Sequence, residues 1–392
     1  MQFSFTEHQT QLFTRFAELG RGVAANAERC DANREFDYHS WRRICDAGIW
    51  RLPVPVNLGG LGGSWADCVV AMEGVASTAC DLGFLITMLA SVGALRTILA
   101  EGTPEQKARW LEPMMRGAIG LTAMTEQSGG SDLARMRLAA EAEGDVWRLC
   151  GRKVHITNAP IASLAMVAGR IPSLGEKRDI TLFFLDLPAE GLSIGDLEDN
   201  LGMRTSPTAD LIFDNVRVDE TNIIGTAGAG LKLLYNTISF ERALYGVIAS
   251  GLIDSMANVA LERTQKRYAF QRPLADFQFV QTRITDMKIW ALVTRLLTYS
   301  AIDKVQSGAD DASITCSAAK FLAGEHLLSA SEHLVQLHGH LGFMRNSLSR
   351  QLRDAVGMRI AGGTSDIQRV NIFNQLSRLQ KRHAEDLAIA AE

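Results

Sequence analysis

Residues 121–133 read LTAMTEQSGGSDL and place two adjacent glycines, Gly129 and Gly130, between hydroxyl and acidic side chains. Glycine has no side chain and lets the backbone approach a ligand closely. Thr125 and Ser131 add hydroxyl and backbone N–H groups, which suit a phosphate or the polar edge of a ring. An ordinary turn has the same composition, so the segment predicts a ligand-binding loop only together with its flanks.

The flanks predict an α+β protein with three parts. In residues 1–118, apolar positions recur every three or four residues, which is typical of helices. Residues 119–225 carry short apolar runs separated by Gly, Asp, Asn and Pro, which predict a small antiparallel β domain. The helical period returns in residues 226–392 with few breakers, which indicates a C-terminal helical bundle.

Five further segments turn this plan into a recognisable pattern. Together with the opening loop they resemble the signature segments of the acyl-CoA dehydrogenase family, and the similarity extends over nearly the whole chain. The resemblance implies that family's fold and its FAD cofactor. The segments are GRKVHITNA at 151–159, LGMRTSPTADLIFDNVRV at 201–218, RYAFQRPLADFQ at 267–278, QLHGHLGF at 336–343 and RIAGGTSDIQR at 359–369.

The resemblance also implies which residues hold FAD: Met124, Thr125, Gly130, Ser131, His155, Thr157, Arg267, Phe270, Gln278, Gln336, Gly339, Thr364 and Asp366. In the family, the positions that match Arg267, Gln336 and Gly339 reach the cofactor of a neighbouring subunit. A homotetramer, or at least a homodimer, is therefore implied. A guanidinium suits the contact to phosphate because it stays charged and donates in a planar fork.

Three positions depart from the family pattern. His155 stands where an aromatic residue is usual, and we expect a structural histidine there. Gln271 replaces a glycine, which should alter the local turn. His340 replaces another glycine and brings a side chain to a backbone contact with the cofactor.

The most informative departure concerns the glutamate that acts as the catalytic base in the family. The family's commonest catalytic glutamate would fall at Gly362, and glycine cannot remove a proton. A minority branch, which includes isovaleryl-CoA dehydrogenase, carries the glutamate on an earlier helix, and Glu241 in FERALYG matches that position. A helical glutamate beside an arginine also forms ordinary surface pairs, but the complementary pattern of Gly362 and Glu241 favours catalysis.

The resemblance implies FAD-dependent α,β-dehydrogenation of an acyl thioester. Glu241 would take the α proton, and the β hydrogen would leave as hydride to flavin N5. The Gly362 N–H and a flavin ribityl hydroxyl would polarise the thioester carbonyl. Ser131, Arg242 and Tyr245 are predicted to contact substrate, with Arg242 more suited to ion pairing than to chemistry. Burial should raise the pKa of Glu241.

Three alternatives stay open. The segments at 157–162, 240–243 and 362–366 also resemble, more loosely, dehydrogenases that act on acyl or aminoacyl groups tethered to carrier proteins. Reduced flavin that meets oxygen would make the enzyme an oxidase or monooxygenase rather than a donor to an electron-transfer flavoprotein. A non-catalytic, nucleic acid-binding relative is the third alternative.

Composition bears on partners and location. The net charge is −4 without a long basic run, so no nucleic acid partner is expected. The six cysteines lack metal-ligand or disulfide spacing, so we expect thiols in a reducing cytoplasm and no metal site. No secretory or transit signal is visible at the start. The apolar stretch 84–94 is shorter than a membrane span and predicts a buried core helix.

Overall fold

The computed structural model describes residues 4–175 and 179–390. The first part of the chain is helical, as predicted, and contains five α-helices. Capping side chains fix where several of them begin: Thr6 and Thr103 each form a reciprocal capping box, and Asp81 accepts from the N–H of Phe84. The helices are α1 (Glu7–Asn33), α2 (Tyr38–Asp46), α3 (Trp65–Ala79), α4 (Leu82–Glu101) and α5 (Pro104–Met115).

The middle part is a β-sheet with the spatial order β6-β7-β3-β2-β4-β5-β8, and β1 pairs with β4. Most neighbours are antiparallel, which confirms the predicted type of domain. The sequence did not indicate that β1 and β2 pair with β4 in parallel. The strands are β1 (Gly120–Ala123), β2 (Ala139–Glu143), β3 (Val146–Thr157), β4 (Leu164–Arg170), β5 (Ile180–Asp186), β6 (Leu192–Ile194), β7 (Thr208–Val218) and β8 (Ile223–Ile224).

The last part is a helical bundle, again as predicted. Its central helix, α6, packs against α7 and α8 within the bundle and against α3 and α4 of the N-terminal part. The sequence pattern gave no indication of α9 and α10. The elements are α6 (Gly230–Lys266), a hairpin of β9 (Tyr268–Ala269) and β10 (Arg272–Pro273), α7 (Gln278–Ser307), α8 (Ala312–His338), α9 (His340–Phe343), α10 (Ser347–Met358) and α11 (Ser365–Ala390).

Two helices, α4 and α6, are long and apolar enough to cross a membrane by length and composition alone. The apolar stretch 84–94 is therefore part of a longer helix than the sequence suggested. Of the most apolar windows of α4 and α6, 83% and 72% lie buried inside the protein. Both are core helices, because burial against other protein elements already accounts for their hydrophobicity.

All six cysteines are free thiols. Four of them are buried, and Cys80 and Cys150 are half-buried. The connections before β1 and before α6 contain the predicted limits of the β domain. The exact division at 118 and 225 stays a prediction.

Candidate active site

A cleft of about 680 Å³ opens between the β-sheet, helices α4 and α6, and the segment that joins α10 to α11. It brings together ten of the predicted site residues, although they come from four separate segments of the chain. They are Met124, Thr125, Gly130, Ser131, His155, Thr157, Glu241, Tyr245, Gly362 and Thr364. A cleft of this size lies within the range of small-molecule and cofactor sites.

A buried ion pair holds the glycine-containing loop against β3. The ammonium of Lys153 is fully buried and lies 2.8 Å from Oε1 of Glu126. It also donates to the carbonyl oxygen of Met124 at 3.0 Å, and the N–H of Val154 donates to the carbonyl of Thr125 at 2.9 Å. The backbone of Met124 and Thr125 is therefore fixed from both sides where it faces the cleft.

His155 lies at the rim of the cleft, where an irregularity in the pairing of β3 gives it a φ of 56°. Its Nδ1 lies 2.7 Å from Oε1 of Glu198, and its N–H donates to Oδ1 of Asp210 at 3.1 Å. The ligand atoms of His155, Glu198 and Asp210 lie close enough together to chelate a cation. The expected absence of a metal site rested on cysteine spacing, which does not identify this group. Arg152 already pairs with Asp210, so an ion would have to displace a guanidinium. His155 thus contacts Glu198 at the rim of the cleft, and whether it also contacts the cofactor stays a prediction.

Glu241 occupies the most unusual electrostatic position in the cleft. Its side chain is buried, and Oε1 has no hydrogen-bond partner among the described residues. Burial raises the pKa of Glu241 to about 8, against the opposing influence of the Arg242 and Arg96 guanidiniums. A carboxylate in this state is a much stronger proton acceptor than an exposed glutamate.

Gly362 adopts a φ of +68°, and its N–H donates no hydrogen bond to any described residue. A Cβ at this position would lie 2.4 Å from Cε2 of Tyr245, far inside van der Waals contact. The Tyr245 ring therefore occupies the space that a side chain at position 362 would need. The structure leaves a free backbone donor at the cleft but no room for a base there.

Two predicted site residues lie outside the lining of the cleft, although they are close to it in the chain. Arg242 is buried, its Nε has no partner among the described residues, and none of the ion pairs in that part of the chain includes it. The expected ion pairing of Arg242 is thus not observed. Asp366 is exposed and pairs with Arg369 at 2.9 Å. A direct contact of either side chain with substrate or cofactor stays a prediction.

The remaining predicted cofactor residues lie away from the cleft on the exposed surface of the bundle: Arg267, Phe270, Gln278, Gln336 and Gly339. The turn between β9 and β10 places Phe270 and Gln271 at φ values of 50° and 64°. A two-residue hairpin turn requires such left-handed conformations. The turn therefore forms despite the missing glycine, and Gln271 takes the backbone conformation that glycine would adopt.

Two residues that the sequence did not single out contribute to the site. Gly93 on α4 lies against the carboxylate of Glu241, and Lys153 anchors the loop. The sequence around Gly93 did not indicate its role, because Glu241, the residue that it contacts, lies on a helix far away in the chain. Lys153 lies in the segment GRKVHITNA, two residues before the cleft residue His155, so its position in the chain was a usable signal.

The described residues fit a flavin nucleotide. Oγ1 of Thr122, in the lining of the cleft, is buried without a hydrogen-bond partner in the described part of the chain. The N–H groups of Gly130 and Ser131 likewise donate to no described residue. A polar ring edge would satisfy such donors and acceptors, which are costly to leave unpaired when the cleft is filled.

Comparisons with known proteins agree with this geometry. Three family models match the chain: the N-terminal domain of acyl-CoA dehydrogenase at residues 6–118, its middle domain at 122–216 and its C-terminal domain at 228–377. A 3-(aryl)acrylate reductase of Clostridium sporogenes is 31% identical over 93% of this chain and 99% of its own.

Two solved structures are also similar. Butyryl-CoA dehydrogenase from Megasphaera elsdenii has a TM-score of 0.91 and 27% identity, covering 96% of this chain and 100% of its own. The prolyl acyl carrier protein oxidase AnaB has a TM-score of 0.89 and 27% identity, covering 95% and 100%.

The fold and the cleft define an FAD-dependent oxidoreductase that acts on the CH–CH bond of acyl thioesters. The chain belongs to the acyl-CoA dehydrogenase family.

Proposed function

We propose that Glu241 is the base of an acyl-CoA dehydrogenation, and that it removes the α proton of the thioester. The observation that carries this proposal is a buried carboxylate with a pKa of about 8 in the lining of the cleft. The same cleft includes Gly362, where there is no carboxylate and where the Tyr245 ring occupies the space of a side chain. A base whose pKa is near the working pH combines a usable ionised fraction with strong proton affinity.

Thr125, Ser131 and Thr157 would hold FAD in the cleft, where the cofactor would supply the acceptor for the β hydrogen. The chain's own contribution is to hold the acyl group and to stabilise the charge that develops on the thioester oxygen. The unpaired N–H of Gly362 is available to donate to that oxygen. Tyr245 fills the space beside Gly362 and excludes water from it.

The test replaces Glu241 with glutamine in the FAD-loaded enzyme. Glu241→Gln keeps the shape of the side chain, so FAD content should stay at the wild-type level while substrate no longer bleaches the flavin. In the wild type, kcat/KM should rise with pH through about 8, because only the ionised carboxylate accepts a proton. Wild-type turnover by Glu241→Gln would show that another group is the base.

A carrier protein in place of CoA is the second candidate, supported by the similarity to the prolyl acyl carrier protein oxidase. Both carriers present a thioester, so the reacting groups are the same. Matched acyl-CoA and acyl-carrier protein substrates should be compared by kcat/KM. An anaerobic half-reaction followed by addition of oxygen or of an electron-transfer flavoprotein then identifies the electron acceptor. We propose the flavoprotein, and peroxide formation at the rate of turnover would indicate an oxidase.

We also propose a homotetramer or homodimer in the cytoplasm in which a neighbouring subunit completes each FAD site. Arg267, Gln336 and Gly339 lie on the exposed bundle surface, outside the cleft of their own chain. Exposed apolar residues on α7 recur at helical spacing and form one unpartnered stripe: Ile289, Leu292, Val293 and Leu296. Contiguous exposed apolar surface is typical of subunit interfaces.

A further inference from the structure

The base is accommodated by a close contact between α4 and α6. At Gly93 on α4, an added Cβ would lie 1.8 Å from Oε1 of Glu241 and 2.9 Å from its Cδ. The next atom, Cγ2 of Thr237, would be at 3.4 Å, an ordinary contact distance. Only the tip of the Glu241 side chain therefore competes with a side chain at position 93.

This contact has a functional rather than a structural character. Glycine in the interior of a helix is less favourable than alanine, and Gly93 lies in the middle of α4 among buried residues. A clash with the far end of a flexible side chain is relieved by rotating that side chain, so the backbone need not move. A methyl group at position 93 would thus displace the carboxylate and leave the fold in place.

We propose that Gly93 is a positioning residue that provides the niche in which the Glu241 carboxylate is held. The proposal rests on the assignment of Glu241 as the base. The niche has two effects: it places the carboxylate beside the cleft, and it keeps Oε1 buried without a hydrogen-bond partner, which maintains the raised pKa.

The test is Gly93→Ala in the FAD-loaded enzyme. We expect kcat to fall about 100-fold, the effect of moving a reacting group by about 1 Å. The acid limb of kcat/KM should move below pH 8, because a carboxylate pushed out of the niche is better hydrated. FAD content and the thermal midpoint should stay close to the wild type. Gly22→Ala is the matched control, since a Cβ there meets no atom within 3.4 Å.

A second measurement uses Glu241→Asp, which has a shorter side chain. In Glu241→Asp the carboxylate is withdrawn by one methylene, so adding Gly93→Ala should reduce kcat far less than it does in the wild type. If Gly93→Ala alone fails to fold, the double variant should fold. Wild-type kcat and pH profile in Gly93→Ala, or a double variant that also fails to fold, would overturn the role of Gly93. Neither result bears on the base, which Glu241→Gln tests separately.

Discussion

Replacing Lys153 with methionine tests whether the buried ion pair is what fixes the cofactor loop. Lys153→Met keeps most of the side-chain volume and removes the ammonium that contacts Glu126 and the carbonyl of Met124. The Glu126 carboxylate would keep hydrogen bonds from the N–H groups of Arg137 and Leu138, at 2.6 and 2.9 Å. It would nevertheless be a buried charge without a counter-ion.

Breaking a buried pair from one side costs about 3–5 kcal/mol. Because two backbone donors remain, we expect a loss near the lower end, about 3 kcal/mol, in the free energy of unfolding. Lys153→Met combined with Glu126→Gln removes both charges and should recover about half of that loss, about 1.5 kcal/mol.

The stability that the Lys153–Glu126 pair contributes depends on pH. Burial alone would raise the pKa of Glu126, but the Lys153 ammonium and the two backbone donors outweigh it and hold the pKa below its ordinary value. The pair therefore contributes stability above the unfolded pKa of about 4.3, and this is lost as the pH falls through the folded pKa. Wild type and Lys153→Met should differ most near pH 7 and converge in acid.

Urea unfolding of the FAD-loaded enzyme, followed by flavin release and by circular dichroism, measures these differences. Flavin release should shift more than the helical signal, because the loop contacts the cofactor site. If the free energy of unfolding of Lys153→Met lies within about 0.5 kcal/mol of the wild type, as for an ordinary surface substitution, the ion pair does not fix the loop. The same conclusion follows if the double variant is as unstable as Lys153→Met alone.

Two further predictions concern the cofactor and the base. Gly362→Glu should not restore activity to Glu241→Gln, because the Cβ at position 362 would lie 2.4 Å from the Tyr245 ring. Adding Tyr245→Ala to that double variant should restore measurable turnover. Full rescue by Gly362→Glu with Tyr245 in place would show that the ring does not block the position. If Arg267 donates to the FAD phosphate as proposed, Arg267→Ala should weaken FAD binding about 10- to 100-fold through loss of a charge-assisted hydrogen bond, without destabilising the isolated chain. Lys266→Ala, which removes a like charge paired with Glu262, should leave FAD affinity unchanged.

Much of the fold was accessible from the sequence because its signals are local. The helical period identified α1, α6 and α8, and turn-forming residues delimited the strands of the sheet. The helix α9 was missed because it spans barely one turn, and α10 was not assigned although its 12 residues make it as long as α5. The parallel pairing of β1 with β4 was also missed, because register between distant strands leaves no local pattern.

The candidate site was predicted in part for the same reason. Residues inside contiguous segments, such as Thr125, Thr157 and Thr364, lie together in the cleft. Arg242 was expected to form an ion pair, but whether a helical side chain meets an opposite charge depends on which elements pack against it. Its side chain is buried outside the cleft lining with no ion pair in the described part of the chain.

The sequence by itself determined the family and the cofactor, because both depend on residue identity within short segments. The placement of the base at Glu241 rather than at position 362 was read from the same segments and stays a prediction. Only the tertiary structure decided that Glu241 is buried with a raised pKa, that Tyr245 closes the position beside Gly362 and that Gly93 makes room for the carboxylate. These three properties arise where helices far apart in the chain meet. Desolvation and steric exclusion depend on what surrounds a residue in space.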